Sequence, residues 1–123
     1  MANEISYNLQ VSISNGTYKD SFTKLGAFIT QNAQGAAGGI QTVGTTEENL
    51  VITDSVTTNG CIVLHNLDST NFVDYGLDDA GTMKAIGRIK PGEAHWLRLK
   101  PSTNLRMKAD TAAVRVEYLL LND

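Results

Sequence analysis

The chain has 123 residues, 41% apolar and 19% charged, with 11 Gly and 2 Pro. That balance excludes a disordered or collagen-like chain and suits one domain, residues 1–123, with a single modest core. The net charge of −3 is uneven: two basic side chains face nine acidic ones over 1–83, and eight face four over 84–123. This is not the strongly basic balance of a nucleic-acid binder. No apolar run approaches the roughly 18 residues that span a bilayer. Met1-Ala2-Asn3-Glu4 lacks the basic and apolar segments of a secretory leader. Cys61 is the sole cysteine, so no intrachain disulfide forms, and a soluble protein made in a reducing cytoplasm is expected.

Apolar Ile5, Tyr7, Leu9, Val11 and Ile13 alternate with polar neighbours. That period predicts a strand with one face buried. Asn15-Gly16 then marks a tight turn, and extended stretches are predicted over 18–22 and 25–30. The small-residue tract 33–39 reads as a loop, either mobile on the surface or ordered against a neighbouring chain. From Ile40 onward short strands are predicted at 40–43, 50–53, 61–67, 72–75, 83–89, 94–99, 105–109 and 114–121. They are separated by turn clusters, among them Pro91-Gly92, which suits a type II turn. Thr45 to Glu48 has capping-box spacing, which allows at most one short helical turn. The fold class is therefore all-β: a single-domain β-sandwich, jelly-roll or Greek-key like. The final strand is apolar at Val116, Tyr118, Leu119, Leu120 and Leu121, which predicts burial on both faces or against another subunit.

The residues that could carry chemistry do not converge in sequence. His65 and His95 lack nearby ligands, so no metal is expected. Cys61 lies in a core-like apolar run, away from the electropositive setting that activates a thiol. Asp74, Asp78 and Asp79 could be imagined as an acidic pair, but Asp78-Asp79-Ala80-Gly81 has turn composition. Phosphate-loop and dinucleotide fingerprints are missing. The expectation is no catalytic residue, no cofactor and no small-molecule substrate.

The basic residues are placed more suggestively. In 94–99, Trp96 shares a face with Arg98, while His95, Leu97 and Leu99 take the other. Leu105, Met107 and Ala109 point opposite to Arg106 and Lys108. If these strands are neighbours, Arg98, Arg106 and Lys108 lie on one face, with Lys84, Lys100, Arg88 and Arg115 nearby. One reading is a solvated polar face; the other is an electropositive patch that docks on an acidic protein surface. Candidate interface residues are accordingly Trp96, Arg98, Arg106, Lys108, Leu119 and Leu121. An aromatic platform of Trp96, Tyr75 and Tyr18 would instead suit a carbohydrate-binding module.

Three segments also resemble small virion proteins of tailed bacteriophages. The stretch Cys61-Ile-Val-Leu-His-Asn-Leu-Asp-Ser-Thr-Asn71-Phe-Val-Asp-Tyr-Gly76 is similar to their hydrophobic run followed by Asn-Leu-Asp-x-Thr-Asn and x-Val-x-x-Gly. Ile89-Lys-Pro-Gly-Glu-Ala-His-Trp-Leu-Arg-Leu99 resembles their Lys-Pro-Gly-Glu turn and following strand, and Leu105-Arg-Met-Lys-Ala-Asp-Thr-Ala-Ala-Val114 fits as well. The resemblance covers nearly the whole chain and rests on turn and packing signatures. It implies a structural protein of the phage particle, made in the host cytoplasm: a capsid decoration (cement) protein at the capsid surface, or a tail, head–tail connector or fibre component. The expected partners are copies of itself, as trimer or dimer, and the major capsid protein, with no nucleic acid or membrane.

Overall fold

The computed structural model describes residues 3–123, so Met1 and Ala2, where the leader reading begins, lie outside the described residues. It is all-β: ten strands pair antiparallel, and the described residues contain no helix. The chain divides into two compact units, 1–32 and 33–123.

The first unit is a hairpin of β1 (Ile5–Asn15) and β2 (Tyr18–Ile29). Of the two loop residues only Gly16 has positive φ (+60°), the signature of a type II′ turn, whose twist matches the flanking strands. The stretches predicted at 18–22 and 25–30 are one strand with a bulge. Pairing passes from Tyr7↔Ala27 to Leu9↔Lys24, leaving one extra residue on β2. There the Gly26 N–H donates to Asn8 Oδ1 at 2.8 Å. The alternation identified the strand but not its environment. Leu9, Val11 and Ile13, expected on a buried face, are 39–55% exposed, and their cross-strand neighbour Phe22 is 61% exposed. A two-stranded ribbon has no second layer of its own to cover that face.

The second unit holds β3 (Ala36–Val43), β4 (Glu48–Asn49), β5 (Asn59–Asn66), β6 (Val73–Asp79), β7 (Thr82–Ile89), β8 (Ala94–Arg98), β9 (Leu105–Ala109) and β10 (Val114–Asn122). They form two four-stranded sheets, ordered β3-β10-β5-β8 and β4-β9-β6-β7. β6 pairs with β7, β5 with β8, β4 with β9 and β3 with β10. The unit is thus one long antiparallel ribbon bent at the β6–β7 turn. Rolling it up also joins β10 to β5 and β9 to β6, which makes a jelly roll.

Period-two alternation fills the space between the sheets. Val114, Val116, Tyr118 and Leu120 of β10 point inward with Ile62 and Leu64 of β5. Val73, Tyr75, Leu105, Met107 and Ile89 meet them from the other sheet. Each such side chain contributes roughly 1.5–3 kcal/mol by leaving water. Tyr75 Oη lies 2.9 Å from His95 Nδ1, a polar bond between the two sheets. The Pro91-Gly92 turn has the expected type II form, with Gly92 at φ +78° and Glu93 N–H donating to Lys90 O at 3.0 Å.

Two local expectations fail, and the helical turn that the capping-box spacing allowed is not used. Residues 36–39, read as loop, are the first half of β3 and pair with Tyr118–Leu121 of the same chain. No helical turn forms after Thr45. The Glu48 carboxylate is taken by the Gly44 N–H (3.0 Å) and Gln41 Nε2 (2.9 Å) instead. No strand forms at the predicted 50–53: β4 ends before it, at Asn49, and Val51 N–H donates to the Gln41 side chain at 2.9 Å rather than to a neighbouring strand's backbone.

Candidate functional site

The six candidate interface residues fall on two different sheets. β8, with Trp96 and Arg98, pairs with β5, whereas β9, with Arg106 and Lys108, lies between β4 and β6. The face expected to carry Arg98, Arg106 and Lys108 together therefore does not form. The 99–104 connection crosses from one sheet to the other instead of closing a hairpin, so strands adjacent in sequence are not adjacent in space.

On the β4-β9-β6-β7 sheet the charges are compensated. Arg106 is mostly buried, with its side chain 13% exposed. It donates from Nη1 to Asn49 Oδ1 (3.0 Å) and from Nη2 to the Glu47 carbonyl (3.3 Å), tying down the segment around β4. Its buried Nε lies 4.0 Å from Glu47 Oε2, beyond hydrogen-bond reach. Lys108 is exposed and stands opposite Asp74 in the strand register. Asp74 accepts two bonds from Arg88, at 2.7 and 3.1 Å, and these bonds raise the guanidinium pKa. Arg88 also lies 3.7 Å over the Phe72 ring. The expected basic patch is thus interrupted by Asp74 and by the partial burial of Arg106.

Trp96, Arg98, Leu119 and Leu121 do come together, on the outer face of the β3-β10-β5-β8 sheet. The register sets Leu119 between Val63 of β5 and Gly38 of β3, Leu121 beside Ala36, and Trp96 across from Val63. Burial alternates along β10, so the expectation of burial on both faces fails within the chain, and Leu119 is 44% exposed. Ile40, on the same face, is 51% exposed. Because Gly38 has no side chain, a depression of about 600 Å³ opens between Ile40, Val63 and Leu119. Polar pairs border this apolar strip: His65 Nδ1 with Glu117 Oε1 at 3.2 Å, and Arg98 Nη1 with Asp123 Oδ1 at 2.7 Å. The bond to Asp123 raises the Arg98 pKa. Arg98 pairs with Cys61, whose thiol is pushed up chiefly by burial and so is held protonated. Sequence reasoning missed Val63, Ile40 and Gly38. Alternation through Cys61, Val63 and His65 could have identified Val63, whereas the role of Gly38 depends on its long-range partner.

The remaining chemistry-bearing groups are engaged in structure. His95 is bonded to Tyr75, and Tyr75 is only 8% exposed, so it offers no platform for a sugar. Asp78 Oδ1 accepts from Gly81 N–H at 2.9 Å, and Asp79 lies 3.9 Å from Lys84 Nζ. Among the described residues no three His, Cys, Asp or Glu side chains are grouped to hold a metal ion. Comparison with models of known families, with curated proteins and with solved structures gave no match.

Proposed function

We propose that this protein is a non-enzymatic structural component of a tailed-bacteriophage particle, a decoration protein that binds the head shell and associates with copies of itself. The observation that carries this reading is the outer face of the β3-β10-β5-β8 sheet. Leu119, Leu121, Val63, Ile40 and Trp96 make an apolar strip bordered by polar pairs, the core-and-rim layout of a protein-binding surface. The virion-protein resemblance of the 61–76, 89–99 and 105–114 segments supports the choice of partner. The jelly roll is compatible with it, although that fold also serves lectins and cupins and does not by itself select a function. The engagement of His65, His95, Cys61 and Asp78 in local bonds or burial supports a non-catalytic role.

The test is binding to emptied heads of the phage whose genome encodes the chain. Wild-type protein is expected to bind and to raise the temperature at which the heads rupture. Leu119→Asp, at an exposed position, should keep the fold and lose at least tenfold in binding. Wild-type protein that binds neither heads nor any other part of the particle would refute the assignment. Labelling confined to the tail would move the role to a tail or connector component.

A further inference from the structure

We infer that the N-terminal hairpin is a self-association arm, whose apolar face packs against the same face of a second copy about a two-fold axis. This deepens the reading above, on which it rests, by naming a surface through which copies join.

The cross-strand register provides the argument. On the apolar face three successive pairs are Leu9↔Lys24, Val11↔Phe22 and Ile13↔Asp20. A lysine and an aspartate therefore stand on β2 at equal distances either side of the Val11–Phe22 pair, each roughly 6–7 Å along the strand. Among the described residues neither Asp20 nor Lys24 forms an ion pair within its own chain. At the Asp20 end of this face a depression of about 260 Å³ is lined by Val11, Ile13, Tyr18, Asp20 and Phe22.

With the strands kept aligned, two face-to-face arrangements have two-fold symmetry. With the axis along the strands, Lys24 would stack on Leu9 of the second copy and Asp20 on Ile13, burying each charge against an apolar side chain. With the axis across the strands, β2 stacks antiparallel on its counterpart. Phe22 then meets Phe22, Val11 meets Val11, and Lys24 meets Asp20 twice, by symmetry. Only this second arrangement covers the apolar centre and pairs both charges, and it converts two exposed ribbons into a four-stranded, two-layer unit. A ribbon of this length offers on the order of 350 Å² per face, well under the ~800 Å² per partner of a standard interface. The contact is therefore a weak, concentration-dependent one, suited to reinforcement when copies are held side by side on a shell.

Sedimentation of the full-length protein over a concentration series tests this. Wild type should pass from monomer to dimer as concentration rises. Asp20→Lys alone and Lys24→Asp alone should each weaken association about tenfold or more, because each turns two attractions into two repulsions. The double variant Asp20→Lys/Lys24→Asp should recover wild-type association. A mixture of the two single variants should form a heterodimer that neither forms alone. Unchanged Trp96 fluorescence and circular dichroism would show that the fold is kept. The inference is overturned by a wild type that stays monomeric at millimolar concentration, by single variants that associate like wild type, or by failure of the mixture to associate. It is also overturned if the charge variants lose head binding without any change in self-association, which would make the hairpin a shell-binding arm. A hairpin dimer that does not bind heads would instead defeat the virion reading and leave this contact standing.

Discussion

Asn66 is fully buried at the end of β5, yet each of its polar atoms is paired. Its Nδ2 donates to the carbonyls of Ile89 (2.9 Å) and Asn71 (3.0 Å), and Oδ1 accepts from Asp68 N–H at 2.8 Å. Asn66→Ala removes the donor to a buried carbonyl and should lower unfolding stability by about 3 kcal/mol in urea titrations, with an unchanged m-value. Asp68 continues the network, its Oδ2 accepting from the N–H groups of Thr70 (2.9 Å) and Asn71 (2.6 Å), and these bonds hold its pKa below the ordinary aspartate value. A carboxyl whose folded pKa is depressed contributes stability above its unfolded pKa and loses it as pH falls through the folded one. Stability measured from pH 6 downward should therefore fall through and below the normal carboxylate range, and Asp68→Asn should flatten that part of the curve. Cys61 is 2% exposed and its thiol is held protonated by burial. It should resist alkylation in the native protein and react promptly once urea unfolds the chain.

At the scale of elements, β3 shows how a weak sequence signal can specify a strand. Ala36-Ala37-Gly38-Gly39 has little to pack, but its backbone pairs with the most apolar strand of the chain, and Ala37 enters the core. At Gly38 an added Cβ would come within 2.9 Å of the Tyr118 carbonyl and 3.4 Å of Leu119 Cδ1. Gly38→Val should push β3 away from β10, cost about 1–3 kcal/mol in thermal or urea unfolding, and weaken any partner held in the depression beside Leu119. Propensity alone favours a loop here, because the deciding partner lies about 80 residues away in sequence. The hairpin is the opposite case. Its first strand, turn and apolar face were legible locally from alternation and Asn15-Gly16, while the bulge that makes one strand of 18–29 and the exposure of the face were not, since alternation says that a face wants cover without saying what supplies it.

At the scale of the whole molecule, the jelly roll is built almost entirely from distant pairings, with Ala36 opposite Leu121 at one extreme and Asp79 opposite Thr82 at the other. Chains dominated by non-local contacts fold slowly because loop closure precedes the stabilising contacts. Refolding followed by Trp96 fluorescence should therefore proceed in milliseconds to seconds, and microsecond folding would contradict the rolled-ribbon topology. By itself the sequence determined what is local: the all-β class, the turns, the alternation along β1, and Trp96 and Arg98 sharing a face. Those follow from backbone sterics and a two-residue period, which neighbouring residues set. Tertiary structure alone decided which strands are neighbours. That separated Arg98 from Arg106 and Lys108, matched Arg88 and Arg98 with Asp74 and Asp123, and brought Leu119, Val63 and Ile40 together on one face. Strand pairing depends on the closure of long loops and the burial of a shared core, and no short stretch of sequence encodes either.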